Sequence, residues 1–159
     1  MQAKFFSASL LGFFLAFFSF QVHAQAGPDD VTPEKLQAFW NSNIQAMISL
    51  DKEKIIEQTY FPLAGEWYAI FDMWESTEEE LQEVYVERLE EMYNEEFRSV
   101  LSSYTWENIG VAETEEGTFL SIYILFEEVI DDEVLESAII LEFSLIEENW
   151  MLTAMTFAG

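Results

Sequence analysis

Residues 118–129 read TFLSIYILFEEV, and side chains of two kinds alternate along this run. One side carries only large apolar residues, namely Leu120, Ile122, Ile124 and Phe126. The other side mixes apolar and polar residues, namely Phe119, Ser121, Tyr123 and Leu125. Successive side chains of a β-strand point to opposite faces of a sheet, so this period predicts a strand with one buried face.

Three further stretches with strand period surround this run. Thr105–Glu113 precedes it, and Val134–Ile146 and Trp150–Phe157 follow it. Short polar stretches separate the four strands and predict turns, at Glu115–Gly117, Asp131–Asp132 and Glu147–Asn149. Spacing of hairpin length predicts an antiparallel meander.

The first half of the domain has helical period instead. Thr32–Leu50 predicts an amphipathic helix with Thr32 as its N-cap, and Asp51–Tyr60 predicts a shorter second helix. Phe61–Gly65 reads as a break because it contains Pro and Gly. Glu66–Trp74 is dense in aromatic residues and fits either a strand or a helix.

A third helix begins at Thr77, where Thr77 and Glu80 match a capping box. Its apolar face continues to Leu101, which predicts one surface helix of about six turns. Helices followed by long antiparallel strands indicate an α+β domain over residues 32–159. We expect the N-terminal helices to pack in the hollow of a curved antiparallel sheet of about four to five strands.

The N-terminus has the pattern of a secretory signal peptide over residues 1–24. Lys4 precedes the apolar run Phe5–Phe20, and Val22-His23-Ala24 supplies a small-residue cleavage site. Cleavage after Ala24 predicts a periplasmic or secreted protein with a flexible leader at residues 25–31 and no stable membrane anchor.

Cleavage would also remove His23, the only histidine, from a chain that contains no cysteine. Ser–His–Asp and Cys–His catalysis and zinc or copper sites are then excluded because their base, thiol or ligands are missing. Glycine-rich phosphate loops and EF-hand spacing are absent from the sequence. The acidic stretch around Asp131-Asp132 therefore reads as a solvated turn, and we expect neither a metal nor a cofactor.

The charge balance is strongly acidic, with 31 Asp and Glu against 6 Lys and Arg and a net charge of −25. A polyanion repels nucleic acid and anionic lipid headgroups, so we expect no nucleic-acid partner. A cationic ligand or a basic protein partner fits this charge.

The order of elements resembles the nuclear transport factor 2-like superfamily of α+β cones, with the cystatin-like folds as nearest competitor. The resemblance is most specific in the closing hairpin, where residues 141–145 (LEFSL) lead through a turn to Trp150-Met151-Leu152. The superfamily includes isomerases, dehydratases, ligand carriers and catalytically silent partner domains. Its enzymes commonly use an Asp–His or Asp–Tyr pair, and the mature chain would lack the histidine of the first pair.

Asp72, with Tyr60 and Tyr68 nearby in sequence, is the candidate for such an Asp–Tyr pair. A carboxylate among apolar side chains has a raised pKa and serves as a general base or acid. The structural alternative is that Asp72 caps a turn.

Aromatic residues are the second candidate site, because their apolar faces and polar tips suit the mouth of a ligand pocket. They serve equally well as core residues. The weak ligand-binding candidates are Trp40, Trp67, Trp106 and Tyr123.

Three functions fit these features. The first is an exported small non-catalytic domain that binds an apolar or cationic ligand or a basic partner. The second is an isomerase-like or dehydratase-like enzyme that uses a buried Asp with Tyr. The third is a homodimeric structural module that pairs through the outer face of its sheet.

The charge generates a prediction about stability. If repulsion among carboxylates limits the stability of the fold, added salt should raise the melting temperature, because the screening length falls to about 3 Å at 1 M salt. Thermal melts from low salt to about 1 M measure this. A melting temperature that stays flat across the series would contradict it.

Overall fold

The structure of the chain is a computed structural model that describes residues 31–115, 117–130 and 133–158. The predicted signal peptide and the leader up to Asp30 lie outside the described residues. So do Glu116 and the Asp131-Asp132 turn.

Helices occupy the first part of the domain. A continuous helical stretch comprises α1 (Pro33–Phe39), a π-helical segment (Trp40–Ile44) and α2 (Gln45–Ser49). The remaining helices are α3 (Lys52–Glu57), α4 (Glu78–Glu87), α5 (Leu89–Met92) and α6 (Glu95–Ser102), with 3₁₀ turns at Trp67–Phe71 and Trp106–Asn108.

Five strands form one sheet in the order β1-β5-β4-β3-β2. Their bounds are β1 (Thr59–Ala64), β2 (Gly110–Thr114), β3 (Gly117–Ile130), β4 (Glu133–Ile146) and β5 (Asn149–Ala158). The antiparallel meander from β2 to β5 is confirmed, and β1 adds a parallel edge beside β5. The α+β class is therefore confirmed, with a mixed sheet.

The predicted starts of the helices are confirmed by their caps. The side chain of Thr32 accepts a hydrogen bond from the backbone of Lys35, and Asp51 accepts one from the backbone of Lys54. Thr77 and Glu80 form the complete capping box. These bonds satisfy backbone N–H groups that have no partner inside a helix.

The second helix is shorter than predicted, because α3 ends at Glu57 and the chain becomes extended at Thr59. Phe61–Gly65, which the sequence predicts as a break, mostly belongs to strand β1. Gly65 ends it with φ +91°, and a Cβ at this position would overlap the backbone carbonyl of Met155 in β5. The glycine therefore permits the close approach of β1 and β5.

The prediction of one six-turn helix after Thr77 is wrong. Helical dihedrals are lost at Arg88 and at Tyr93, which has φ −100° and ψ 49°. Asn94 then starts α6 as an N-cap by accepting from the backbone of Phe97, while Arg98 Nε donates to the carbonyl of Tyr93. These two bonds satisfy backbone groups that the interruption would otherwise leave unpaired.

The strand predicted at Thr105 also begins later than expected. Thr105 caps the 3₁₀ turn Trp106–Asn108, and β2 starts only at Gly110. Glu66–Trp74, which the sequence left undecided, contains the 3₁₀ turn Trp67–Phe71.

The helices cover one face of the sheet, called here the covered face. Its fully buried residues come from three adjacent strands and are Leu120, Ile122, Ile124, Leu141, Phe143, Leu152 and Met155. Phe39 from α1 packs edge-on against Phe143, with ring centroids 4.8 Å apart. Burial of these apolar side chains is the main force that holds helices and sheet together.

A row of buried hydroxyl groups crosses this core. The hydroxyls of Tyr93 and Tyr85 lie 2.8 Å apart, and those of Tyr85 and Thr59 lie 3.1 Å apart. Thr59 donates in turn to the carbonyl of Ile55 at 2.7 Å. The row, called here the hydroxyl chain, joins α3, β1, α4 and the junction between α5 and α6.

The carbonyl at one end determines the direction of every hydrogen bond in the hydroxyl chain. Thr59 uses its only hydroxyl proton on Ile55, so it accepts from Tyr85. Tyr85 therefore accepts from Tyr93. Burial raises the pKa of Tyr85 to about 12 and the pKa of Tyr93 well above its ordinary value, so both phenols stay protonated at neutral pH.

This direction predicts an order of stability losses. Tyr85→Phe leaves the buried hydroxyl proton of Tyr93 without an acceptor and should cost about 2–3 kcal/mol. Tyr93→Phe leaves no donor unpaired and should cost about 1 kcal/mol. Chemical denaturation measures both free energies of unfolding.

The exposed Tyr60 supplies the matched control, since Tyr60→Phe should change stability by less than about 0.5 kcal/mol. A larger loss for Tyr93→Phe than for Tyr85→Phe would show that the donors run in the opposite direction.

Candidate functional site

An open depression lies where α5 and α6 meet the ends of β3, β4 and β5. Its volume is about 530 Å³, which falls within the range of small-molecule sites. The floor is formed mainly by apolar side chains from these elements, namely Met92, Phe97, Phe126, Ile139 and Phe157. This surface is called here the end depression.

Phe97 lies between the end depression and the buried core. It is among the lining residues and also packs edge-on against the buried Tyr93, with centroids 5.2 Å apart. Phe97 and Tyr93 are themselves almost completely buried. The lining includes no member of the hydroxyl chain, so the end depression does not reach those hydroxyls.

The rim of the end depression is acidic. It contains Glu91 and Glu96, together with Asn94, whose side chain is used as the cap of α6. Glu91 is paired with Arg88, which is not among the lining residues. Glu96 lies in the first turn of α6, where the helix dipole favours a negative charge. The lining residues include two carboxylates and no Lys or Arg.

Asp72 lies outside the end depression and its side chain is exposed. It ends the 3₁₀ turn in a left-handed conformation, with φ 57°, and borders a separate surface depression with Trp74 and Glu80. Tyr60 is exposed, and Tyr68 is half-buried with its ring edge-on to Trp67. The buried site that the Asp–Tyr pair would need is thus missing around Asp72.

The four aromatic candidates are not brought together. Trp40 and Trp67 are buried, and Trp67 Nε1 donates to the carbonyl of Leu63 at 3.1 Å. Trp106 is half-buried, whereas Tyr123 is 55% exposed on the opposite face of the sheet. None of the four lines the end depression.

Sequence reasoning missed the hydroxyl chain and the end depression. Tyr85 and Tyr93 do occupy the apolar face of the predicted third helix, eight residues apart with Leu89 between them. Two phenols on a core-facing stripe indicate buried hydroxyls that must bond to each other or to the backbone. For Phe126, Ile139 and Phe157 no comparable signal exists, because core positions carry the same residue types.

The described part of the chain contains no group of three or more His, Cys, Asp or Glu residues placed to hold a metal ion. Within those same residues, no helix has the length and hydropathy needed to span a membrane. Asp131 and Asp132, where the sequence predicts an acidic turn, lie outside the residues to which both findings refer.

Comparison with known proteins identifies no family. No protein-family profile matches the chain, and no curated protein matches it. Among solved structures, a protein titled Rd1NTF2_05, with five substitutions in its title, matches over 79% of this chain and 97% of its own. The TM-score is 0.39 and the sequence identity is 7%.

Proposed function

We propose that this protein is an exported, non-catalytic binding domain whose ligand is a small amphiphilic cation held in the end depression. The observation that carries the proposal is the partly exposed apolar floor of Phe126, Ile139 and Phe157 beneath a rim whose charged groups are all carboxylates. An apolar body would bury itself against the rings, and an ammonium group would lie at Glu96. The signal-peptide pattern of residues 1–24 supports export.

The geometry favours binding over catalysis. A general base must lie within hydrogen-bond reach of a bound substrate. Asp72 is exposed and lies outside the end depression, and the buried phenols of Tyr85 and Tyr93 stay protonated at neutral pH and do not line it. The isomerase or dehydratase alternative required a buried carboxylate beside a phenol, which Asp72 does not provide.

The architecture also supports membership of the nuclear transport factor 2-like superfamily as part of this proposal. Helices α1 to α6 precede the long-stranded meander, and the helices pack on one face of the sheet. Ligand carriers and catalytically silent domains occur in that superfamily, and both agree with a buried core and a peripheral depression.

Three ligands of equal chain length test the proposed charge preference. Octylammonium should bind more tightly than octanol, and octanoate should bind least, because only the ammonium group is attracted by the rim carboxylates. Isothermal titration calorimetry measures the three affinities. Equal affinity for all three ligands, or preference for octanoate, would contradict the proposal.

A matched pair of variants localises the site. Glu96→Gln should weaken octylammonium binding about 2- to 5-fold, as expected for loss of one exposed charge contact. Glu95→Gln removes a neighbouring carboxylate that does not line the depression and should leave the affinity unchanged. Equal effects of the two substitutions would show that only overall charge matters and would remove the site from the end depression.

A further inference from the structure

The uncovered side of the sheet, called here the outer face, carries an exposed apolar patch. Leu125 is 60% exposed and Tyr123 is 55% exposed, the former being the most exposed large apolar side chain among the described residues. Across the β3–β4 ladder Tyr123 lies opposite Ile140, and Leu125 lies opposite Ala138. Directly opposite residues share a face, so the four side chains are contiguous.

Carboxylates flank this patch at both ends. Toward one end of β4 lies Glu142, opposite Ser121. Toward the other end Glu127 lies directly opposite Glu136. Like charges in directly opposite positions destabilise a sheet. The Glu127–Glu136 pair therefore indicates that the outer face has a role other than stabilising the isolated domain.

Among the residues whose contacts the structure describes, none of these carboxylates forms an ion pair with Lys or Arg. The last basic residue in the sequence is Arg98, and residues 99–159 contain neither Lys nor Arg. Partial burial raises the pKa of Glu142, and that carboxylate has therefore lost solvation without gaining an opposite charge. An external cation would restore the lost stabilisation.

We infer that the outer face binds a basic amphipathic segment of another protein. Its apolar side chains would cover Tyr123, Leu125 and Ile140, and its Lys or Arg residues would pair with Glu142 at one end and with Glu127 and Glu136 at the other. Six residues of extended β4 separate Glu136 from Glu142, which corresponds to about 20 Å. The two basic ends of the partner must therefore lie about 20 Å apart, the length of a helix of about 13 residues.

Charge favours this occupant over a second copy of the chain. A second copy would bring the same carboxylates to the interface and no Lys or Arg from its own sheet. At a net charge of −25 the two molecules also repel each other at long range. A basic partner is attracted by the same charges.

Two synthetic helical peptides test the inference with the purified protein. One contains only Leu and Lys, with the lysines at both ends, and the other replaces every Lys by Glu. The Leu–Lys peptide should bind in a fluorescence-anisotropy titration, with an affinity that falls as salt rises, and the Leu–Glu peptide should not bind. Failure of the Leu–Lys peptide to bind would overturn the inference.

Variants then localise the peptide. Leu125→Ser should weaken its binding at least 10-fold, and Glu142→Gln should weaken it about 3-fold. Val111→Ser is the matched control, because Val111 is 44% exposed and its partner Leu120 belongs to the covered face. Equal effects of Leu125→Ser and Val111→Ser would overturn the inference, and melting curves confirm that each variant is folded.

Two further outcomes distinguish peptide binding at the outer face from peptide binding in the end depression and from pairing with a second copy of the chain. Loss of peptide binding in Glu96→Gln with full binding in Leu125→Ser would overturn the inference and assign the peptide to the end depression. A stable dimer in sedimentation analysis that Leu125→Ser dissociates would overturn it in favour of a second copy. Octylammonium binding is measured separately, so the proposal for the end depression can fail or hold independently.

Discussion

The structure depends on the hydroxyl chain that ends on the carbonyl of Ile55. It joins four separate elements in the interior of a domain that has no disulfide, because the sequence contains no cysteine. Each of its hydroxyls is buried and would cost free energy if left unpaired. These hydrogen bonds therefore require α3, β1, α4 and the junction between α5 and α6 to keep one relative arrangement.

This arrangement leaves both proposed binding surfaces at the periphery. Trp67 packs edge-on against Tyr85, and Phe97 packs edge-on against Tyr93, so each phenol ring of the hydroxyl chain has an aromatic neighbour. The proposed ligand would lie in the end depression, whose lining does not include the two phenols. The covered face of the sheet is buried by the helices, which leaves the outer face for the proposed basic partner.

Basic residues of the described part are confined to the helical layer. All five lie in or beside helices, namely Lys35, Lys52, Lys54, Arg88 and Arg98. Lys52 pairs with Glu90, and Arg88 pairs with Glu91. The strands carry only carboxylates as charged groups, which agrees with the basic partner proposed for the outer face.

The sequence predicts the strands well, because burial on one face imposes a two-residue period wherever a strand lies over a core. Leu120, Ile122 and Ile124 show this period, and their strand is confirmed. Helix starts can also be predicted from the sequence, because a cap such as Thr77 forms its hydrogen bond with a residue only three positions ahead. The long helix was predicted without its interruption. In the sequence, Asn94 resembles any solvated polar residue, and only its hydrogen bond from the backbone N–H of Phe97 identifies it as a cap.

Features that depend on distant contacts could not be predicted in this way. β1 contains a proline and a glycine follows it, and its strand character comes from pairing with β5, about 90 residues later in the sequence. The tryptophans suggested a pocket because their residue type suits one. Trp67 instead bonds to the backbone of Leu63 inside the core, a role that depends on where the 3₁₀ turn lies.

Hydroxyl-proton exchange of the tyrosines tests the closed interior most directly. The chain contains six tyrosines, and the hydroxyls of Tyr85 and Tyr93 are buried and hydrogen-bonded to each other. With ring-carbon labelling and NMR in an equal mixture of light and heavy water, these two should show separate signals for protonated and deuterated forms, because exchange is slow. The exposed Tyr60 and Tyr123 should show single averaged signals. Fast exchange at both Tyr85 and Tyr93 would mean that solvent reaches the hydroxyl chain and would contradict the account.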